Sequence, residues 1–138
     1  MDAFVLDASV AISWCFPGDP TEDTPYTRRI LSTLAVRDAV VPEVWPFEIA
    51  NTLFVSFNRR KRITEGQIKE YLVTALPIRV EAGDLWANVR LESRARTWNL
   101  PANDAAYLDL ALRKHFPLAT TDHDLRKVAL AECIEVLL

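Results

Sequence analysis

Apolar positions along the chain fall into short unbroken runs separated by longer stretches with helical spacing. Ala3-Phe4-Val5-Leu6 has the look of a buried strand and ends at Asp7; residues 8–16 continue as an apolar helical segment. Gly18-Asp19-Pro20 marks a loop. Residues 24–36 form the next helical stretch, with Ile30, Leu31, Leu34 and Ala35 at helical spacing. Ala39-Val40-Val41 is a second strand, stopped by Pro42. A helix over 44–58 follows, with Pro46 tolerated in its first turn and Phe47, Ala50, Phe54 and Phe57 expected to face the core. Thr64 and Gln67 form a capping box that opens a helix to about residue 76. Ile78-Arg79-Val80 is a weak third strand, 83–98 a helix, and Leu100-Pro101 a break. Residues 104–114 read as a strongly apolar helix, Leu118-Ala119-Thr120 as a fourth strand, 125–131 as a short helix and Ile134-Glu135-Val136 as a fifth strand. Strands alternating with helices predict an α/β domain with a mainly parallel sheet covered on both faces.

The 138 residues, half of them apolar, suit one domain (1–138) with a core that needs neither disulfides nor a structural metal. No apolar run approaches the ~20 residues that span a bilayer. Met1-Asp2-Ala3-Phe4 lacks the basic start of a signal peptide, so a soluble, cytoplasmic protein is expected. Cys15 and Cys133 are too far apart in sequence for a zinc knuckle and are expected to be reduced core residues. The net charge of −3 does not mark a nucleic-acid binder, yet Arg59-Arg60-Lys61-Arg62 is a dense basic run. It could contact RNA phosphates or a protein partner, or simply be a solvated helix end favoured by the dipole. His115 and His123 read as surface residues, and Trp14, Trp45, Trp86 and Trp98 as core or interface residues.

Four acids stand apart from this pattern. Singly, each has an ordinary explanation: Asp7 and Asp122 could cap helices, Asp104 could complement a helix dipole, and Glu48 could be a polar residue on a half-exposed helix. Topology gives them a common address. Asp7 and Asp122 follow strands, while Glu48 and Asp104 lie near the starts of helices, and in a parallel sheet all these points share one edge. Carboxylates crowded in one crevice repel each other, and hard divalent cations such as Mg²⁺ or Mn²⁺ relieve that repulsion through oxygen ligands. A metal so held, with open positions, suits hydrolysis of a phosphodiester. Ser9, Thr120 and Asn51 are placed to support the acids, or to make local backbone hydrogen bonds.

These segments resemble a known family, the PIN-domain ribonucleases, and most closely the VapC-type toxins of bacterial type II toxin–antitoxin systems. Val5-Leu6-Asp7-Ala8-Ser9 resembles the family's opening strand and first acid, and Pro42-Glu43 through Glu48-Ile49-Ala50-Asn51 its second-acid helix. Asn103-Asp104-Ala105-Ala106-Tyr107-Leu108 resembles the third-acid helix and Thr120-Thr121-Asp122-His123-Asp124-Leu125 the final motif. The resemblance spans essentially the whole chain. It implies a five-stranded parallel sheet ordered 3-2-1-4-5, an Mg²⁺- or Mn²⁺-dependent endoribonuclease, a homodimer, and a cognate VapB-type antitoxin covering the active-site groove. It assigns Asp7, Glu48, Asp104 and Asp122 as the catalytic and metal-binding acids, with Asp124 auxiliary at most. One departure is Asn103, where many relatives carry Tyr, which alters the wall of the groove. Three other readings compete. A catalytically silent PIN-like binding module would not need all four acids. A phosphotransfer receiver domain would need a lysine near the last strand, and residues 133–138 contain none. A metal-dependent phosphatase would be separated from a ribonuclease by its small phosphomonoester substrates.

Overall fold

The computed structural model describes residues 2–59, 63–75 and 78–138. Four strands, β1 (Ala3–Leu6), β2 (Asp38–Pro42), β3 (Arg79–Glu81) and β4 (Leu118–Ala119), form one parallel sheet in the order 3-2-1-4. The helices are α1 (Ala8–Ser13), α2 (Pro25–Thr33), α3 (Val44–Phe54), α4 (Glu65–Ala75), α5 (Ala87–Trp98), α6 (Ala102–Lys114) and α7 (His123–Ala131). β1 lies at the centre, with Phe4 beside Ala39 on one flank and Leu6 beside Ala119 on the other. Every residue of β1 is buried, as unbroken apolar strands must be when both faces of a sheet are covered. β3 is the exposed edge strand. α6 packs against β1, β2 and α5, and its residues from Ala105 to Ala111 are all buried.

The expected fifth strand is reduced to a single parallel bridge between Val136 and Leu118. The Leu118 and Leu137 N–H groups still donate to the Glu135 and Leu118 carbonyls, at 2.9 Å each. β4 is only two residues long, so it offers too short a template for more, and among the described residues the sheet has four strands rather than five. Several ends also shift. α1 stops at Ser13 because Cys15 and Phe16 turn back on i−3 carbonyls. α5 starts at Ala87 rather than Gly83, after the Asp84 carboxylate takes the Trp86 N–H at 2.9 Å. The Thr64–Gln67 capping box forms as expected, with reciprocal bonds of 2.8 and 3.2 Å.

On α3 the core-facing stripe is Trp45, Ile49 and Leu53, not the phenylalanines; Phe47, Phe54 and Phe57 are exposed, Phe47 at 78%. Two apolar stripes run along this helix, and the one through Trp45, Ile49 and Leu53 packs into the core. A π-helical turn, Val55–Arg59, closes the helix. Arg60, Lys61 and Arg62 of the basic run lie outside the described residues. Cys15 is buried, whereas Cys133 is exposed in a left-handed turn rather than in the core.

α5 and α6 are tied together by one buried carboxylate. Asp109, 2% exposed, accepts from Arg90 Nε at 2.9 Å, from an Arg94 guanidinium N–H at 2.6 Å and from Arg113 Nε at 2.9 Å. Removing the acid would leave three guanidinium groups crowded without their anion. Asp109→Ala is therefore expected to lower stability by about 3–5 kcal/mol, read from urea denaturation. A loss below about 1 kcal/mol would show that solvent screens the cluster.

Candidate active site

Parallel topology brings the four sequence-distant acids to the C-terminal edge of the sheet. Asp7 follows β1 directly, and its N–H donates to the Ala119 carbonyl at 3.0 Å, continuing the β1–β4 ladder. Asp7 is 6% exposed, occupies the N-cap position of α1 and makes no capping bond with its side chain. Instead its Oδ2 accepts from Ser9 Oγ at 2.8 Å and from Thr120 Oγ1 at 2.6 Å. Thr120, fully buried just beyond β4, also accepts the Asp122 N–H through Oγ1 at 3.0 Å. One hydroxyl thus links the first acid to the loop that carries the last. Burial pushes the Asp7 carboxyl above its ordinary range, the two hydroxyls pull it partly back, and Asp122 pushes it up further.

Asp122 caps α7, its Oδ1 accepting the Leu125 N–H at 3.0 Å. Asp104 sits in the first turn of α6. Its pKa is raised to about 6, first by desolvation and then by the negative charges of Asp122, Asp7, Glu48 and Asp124. All four expected acids therefore share one electrostatic neighbourhood, with Asp124 at its margin. Glu48, on α3, is held from α6: Tyr107 donates its hydroxyl to Glu48 Oε1 at 2.5 Å, and Asn103 Nδ2 donates to Oε2 at 3.3 Å. Asn103 Nδ2 is also 3.5 Å from Asp104 Oδ1.

Ser9 and Thr120 both donate to Asp7. Asn51 is exposed on α3, and among the described residues it makes no hydrogen bond to Glu48. The residue that sequence reasoning missed is Tyr107. It is wholly buried, and burial together with the adjacent Glu48 charge keeps its hydroxyl protonated and so a donor. Its spacing of three from Asp104 on a helix was the available signal.

Among the described residues no lysine, arginine or histidine pairs with any of the four acids. Nor, among those residues, do three or more His, Cys, Asp or Glu side chains close into a ready-made metal cage. The donor set nevertheless fits a hard divalent cation. It consists of carboxylate oxygens, two of them, on Asp7 and Asp104, with raised proton affinity, and Mg²⁺ in particular keeps several waters and binds through one or two carboxylates rather than a full protein shell.

The family model of the PIN domain matches residues 4–131, and the chain belongs to that family. PIN domains are typically metal-dependent nucleases. The structure is similar to the crystal structure of PAE2754 from Pyrobaculum aerophilum, with a TM-score of 0.67 over 91% of this chain and 85% of that one. At 14% identity that likeness is one of fold. Comparison with curated proteins gives no match.

The raised Asp104 carboxyl fixes a sign for stability without metal. An acid whose folded pKa exceeds its unfolded value of about 4 destabilises the fold at high pH. Here that penalty is full above about pH 6, fades as pH falls through about 6, and vanishes below about 4. In chelator, Asp104→Asn is expected to be more stable than wild type at pH 8 by on the order of 1–2 kcal/mol, allowing for partial exposure, and the gap should close toward pH 4. Thermal melts across pH check this. A mutant less stable than wild type at pH 8 would mean that Asp104 serves its helix and not a repulsive cluster.

Proposed function

We propose that the chain is an Mg²⁺- or Mn²⁺-dependent endoribonuclease that acts as the toxin of a toxin–antitoxin pair. The observation that carries the nuclease reading is Asp7, a buried carboxylate with hydroxyl donors but no cation among the described residues, beside three further acids. Asp7, Asp104 and Asp122, with Glu48, would hold the metal. Such an ion, when bound, supplies an acidified water and positive charge at the phosphoryl oxygens. The chain's own residues orient the site. Ser9 and Thr120 fix the Asp7 carboxylate, leaving Oδ1 without those two donors, and Tyr107 and Asn103 fix Glu48. Asp122 commits one oxygen to its helix, and its other oxygen is the one available to a metal.

RNA as substrate is supported by family membership, and the toxin role by the VapC-like motifs of the sequence. The exposed phenylalanines of α3, together with Leu85 and Trp86 (85% and 72% exposed), supply apolar surface of the kind a second copy or a VapB-type antitoxin would cover. The run Arg59, Arg60, Lys61 and Arg62 is a candidate contact for RNA phosphates or the antitoxin. Among the described residues no helix is long and apolar enough to cross a membrane.

The decisive experiment incubates purified protein with total cellular RNA and Mg²⁺, beside a chelator control. Asp7→Asn and Asp104→Asn should each lose at least on the order of a hundredfold in cleavage rate while keeping a cooperative melt. Near-wild-type cleavage by both mutants at limiting Mg²⁺ would remove the site from this crevice. Expression without an antitoxin should arrest growth, and Asp7→Asn should relieve the arrest. Equal toxicity of that mutant would separate growth arrest from nuclease activity.

A further inference from the structure

A second concavity adjoins the acid crevice and has no assigned role. It is a cavity of about 290 Å³ beyond the C-terminal ends of β2 and β3, walled largely by apolar side chains such as Val44, Ala87, Leu91, Ala106 and Leu110. Asn103 lines it, and the same amide donates to Glu48 and lies beside Asp104, so the two spaces share a wall. On one side Asp109, Arg90 and Arg113 line it, and Asp109 gathers both arginines together with Arg94.

Charge decides what kind of group fits. Arg90 and Arg113 line it against Glu43, Glu81 and Asp109, and Arg94, Lys114 and Asp84 are ion-paired to these lining residues. Four cations meet four carboxylates, so an anion gains no net attraction here. Three of those carboxylates are engaged: Asp109 and Asp84 by arginine, and Glu81 by Lys114 at 3.0 Å. Among the described residues Glu43 is the one left without a cation or donor. It lies at the lip of the cavity against Gly83, where a Cβ would come within 2.9 Å of Glu43 Oε2. The glycine therefore leaves room for a carboxylate that offers only acceptors. A small apolar cavity with one free acceptor at its rim suits a flat ring with an N–H edge. It does not suit a phosphate.

We propose that this cavity receives the base of a nucleotide flanking the scissile phosphate, and that Glu43 favours bases bearing an exocyclic amino group over uracil. Carboxylates accept from such amino groups at base edges, and a guanine edge offers two donors to one carboxylate. The proposal rests on the ribonuclease reading and deepens it by placing a specificity pocket next to the acids.

The test maps the cleavage of a single-stranded RNA pool, randomised at each position, by wild type, Ala87→Phe and Glu43→Gln in Mg²⁺. Ala87 is a partly exposed residue at the start of α5, so the larger ring fills the cavity from its mouth. Wild type should disfavour uracil at one position near the cut by about tenfold, and an abasic nucleotide there should slow cleavage by a similar factor. Ala87→Phe should erase both effects while cutting the abasic RNA at the wild-type rate. Glu43→Gln should lose the discrimination against uracil and keep the abasic penalty. RNA cut with the same base profile by all three proteins would overturn the pocket alone. Wild-type cutting by Ala87→Phe together with escape from a protein inhibitor would give the cavity to a protein partner and overturn it too. A wild type that cuts no RNA would overturn the ribonuclease reading, and the pocket with it.

Discussion

A carboxylate withdrawn from water must be compensated, and this fold does so in two opposite ways. Asp109 and Asp7 are comparably buried, at 2% and 6% exposure, and both stand beside the central strands or the helix packed on them. Asp109 has three guanidinium groups. Asp7 has two hydroxyls, and its carboxyl is held above the usual range. The first is a finished arrangement that locks α5 to α6. The second is short of positive charge, and the three acids around it deepen the deficit. Arginines surround one buried acid and none of the described cations pairs with the other, a deficit that the metal of the proposed function would fill.

The strand order puts that deficit where a substrate can reach it. β1 and β4 are neighbours, but the chain leaves β1 toward β2 on one flank and reaches β4 on the other. Connections that depart in opposite directions open a crevice beyond the strand ends, which is where ligands of parallel sheets bind. Asp7 and Thr120 are the residues immediately past those two ends, and the 2.6 Å bond between them draws the crevice floor together. α3 and α6 then begin at the same edge and bring Glu48 and Asp104 down onto it. Few residues are needed, because the sheet has already done the positioning.

Most of this was legible in the sequence because it follows from periodicity and order. Unbroken apolar runs gave β1 and β2, and the alternation of strands with helices gave a parallel edge on which scattered acids meet. Where reading failed, the deciding quantity was three-dimensional. On α3, Phe47 and Trp45 are equally apolar, and only the packing partner decides which is buried. At the end of the chain, Ile134-Glu135-Val136 has strand composition, but a two-residue β4 cannot template a ladder. Tyr107 has a ring in the core, but its role lies in its hydroxyl, and its partner is 59 residues away. Asp109 left a better clue, an acid in the middle of an apolar helix, whose burial calls for compensating partners.

Asp122 shows why the ordinary and the functional explanations of these acids need not compete. Its Oδ1 caps α7 through the Leu125 N–H, as cap statistics would suggest, and its backbone N–H is held by Thr120. Both bonds restrict the side chain, and the cap turns the second oxygen into a group of fixed position. Its charge is then felt at Asp7 and at Asp104. The cap therefore supplies the preorganisation that a metal ligand needs, since an anchored carboxylate loses little freedom on binding. Glu48 obtains the same result through Tyr107 and Asn103 rather than through a helix end. Asp104 is the exception. Among the described residues its one side-chain partner is the long Asn103 contact, and its pKa is pushed to about 6. Among the described residues it is the least anchored of the four, and the negative charges around it push its carboxyl up.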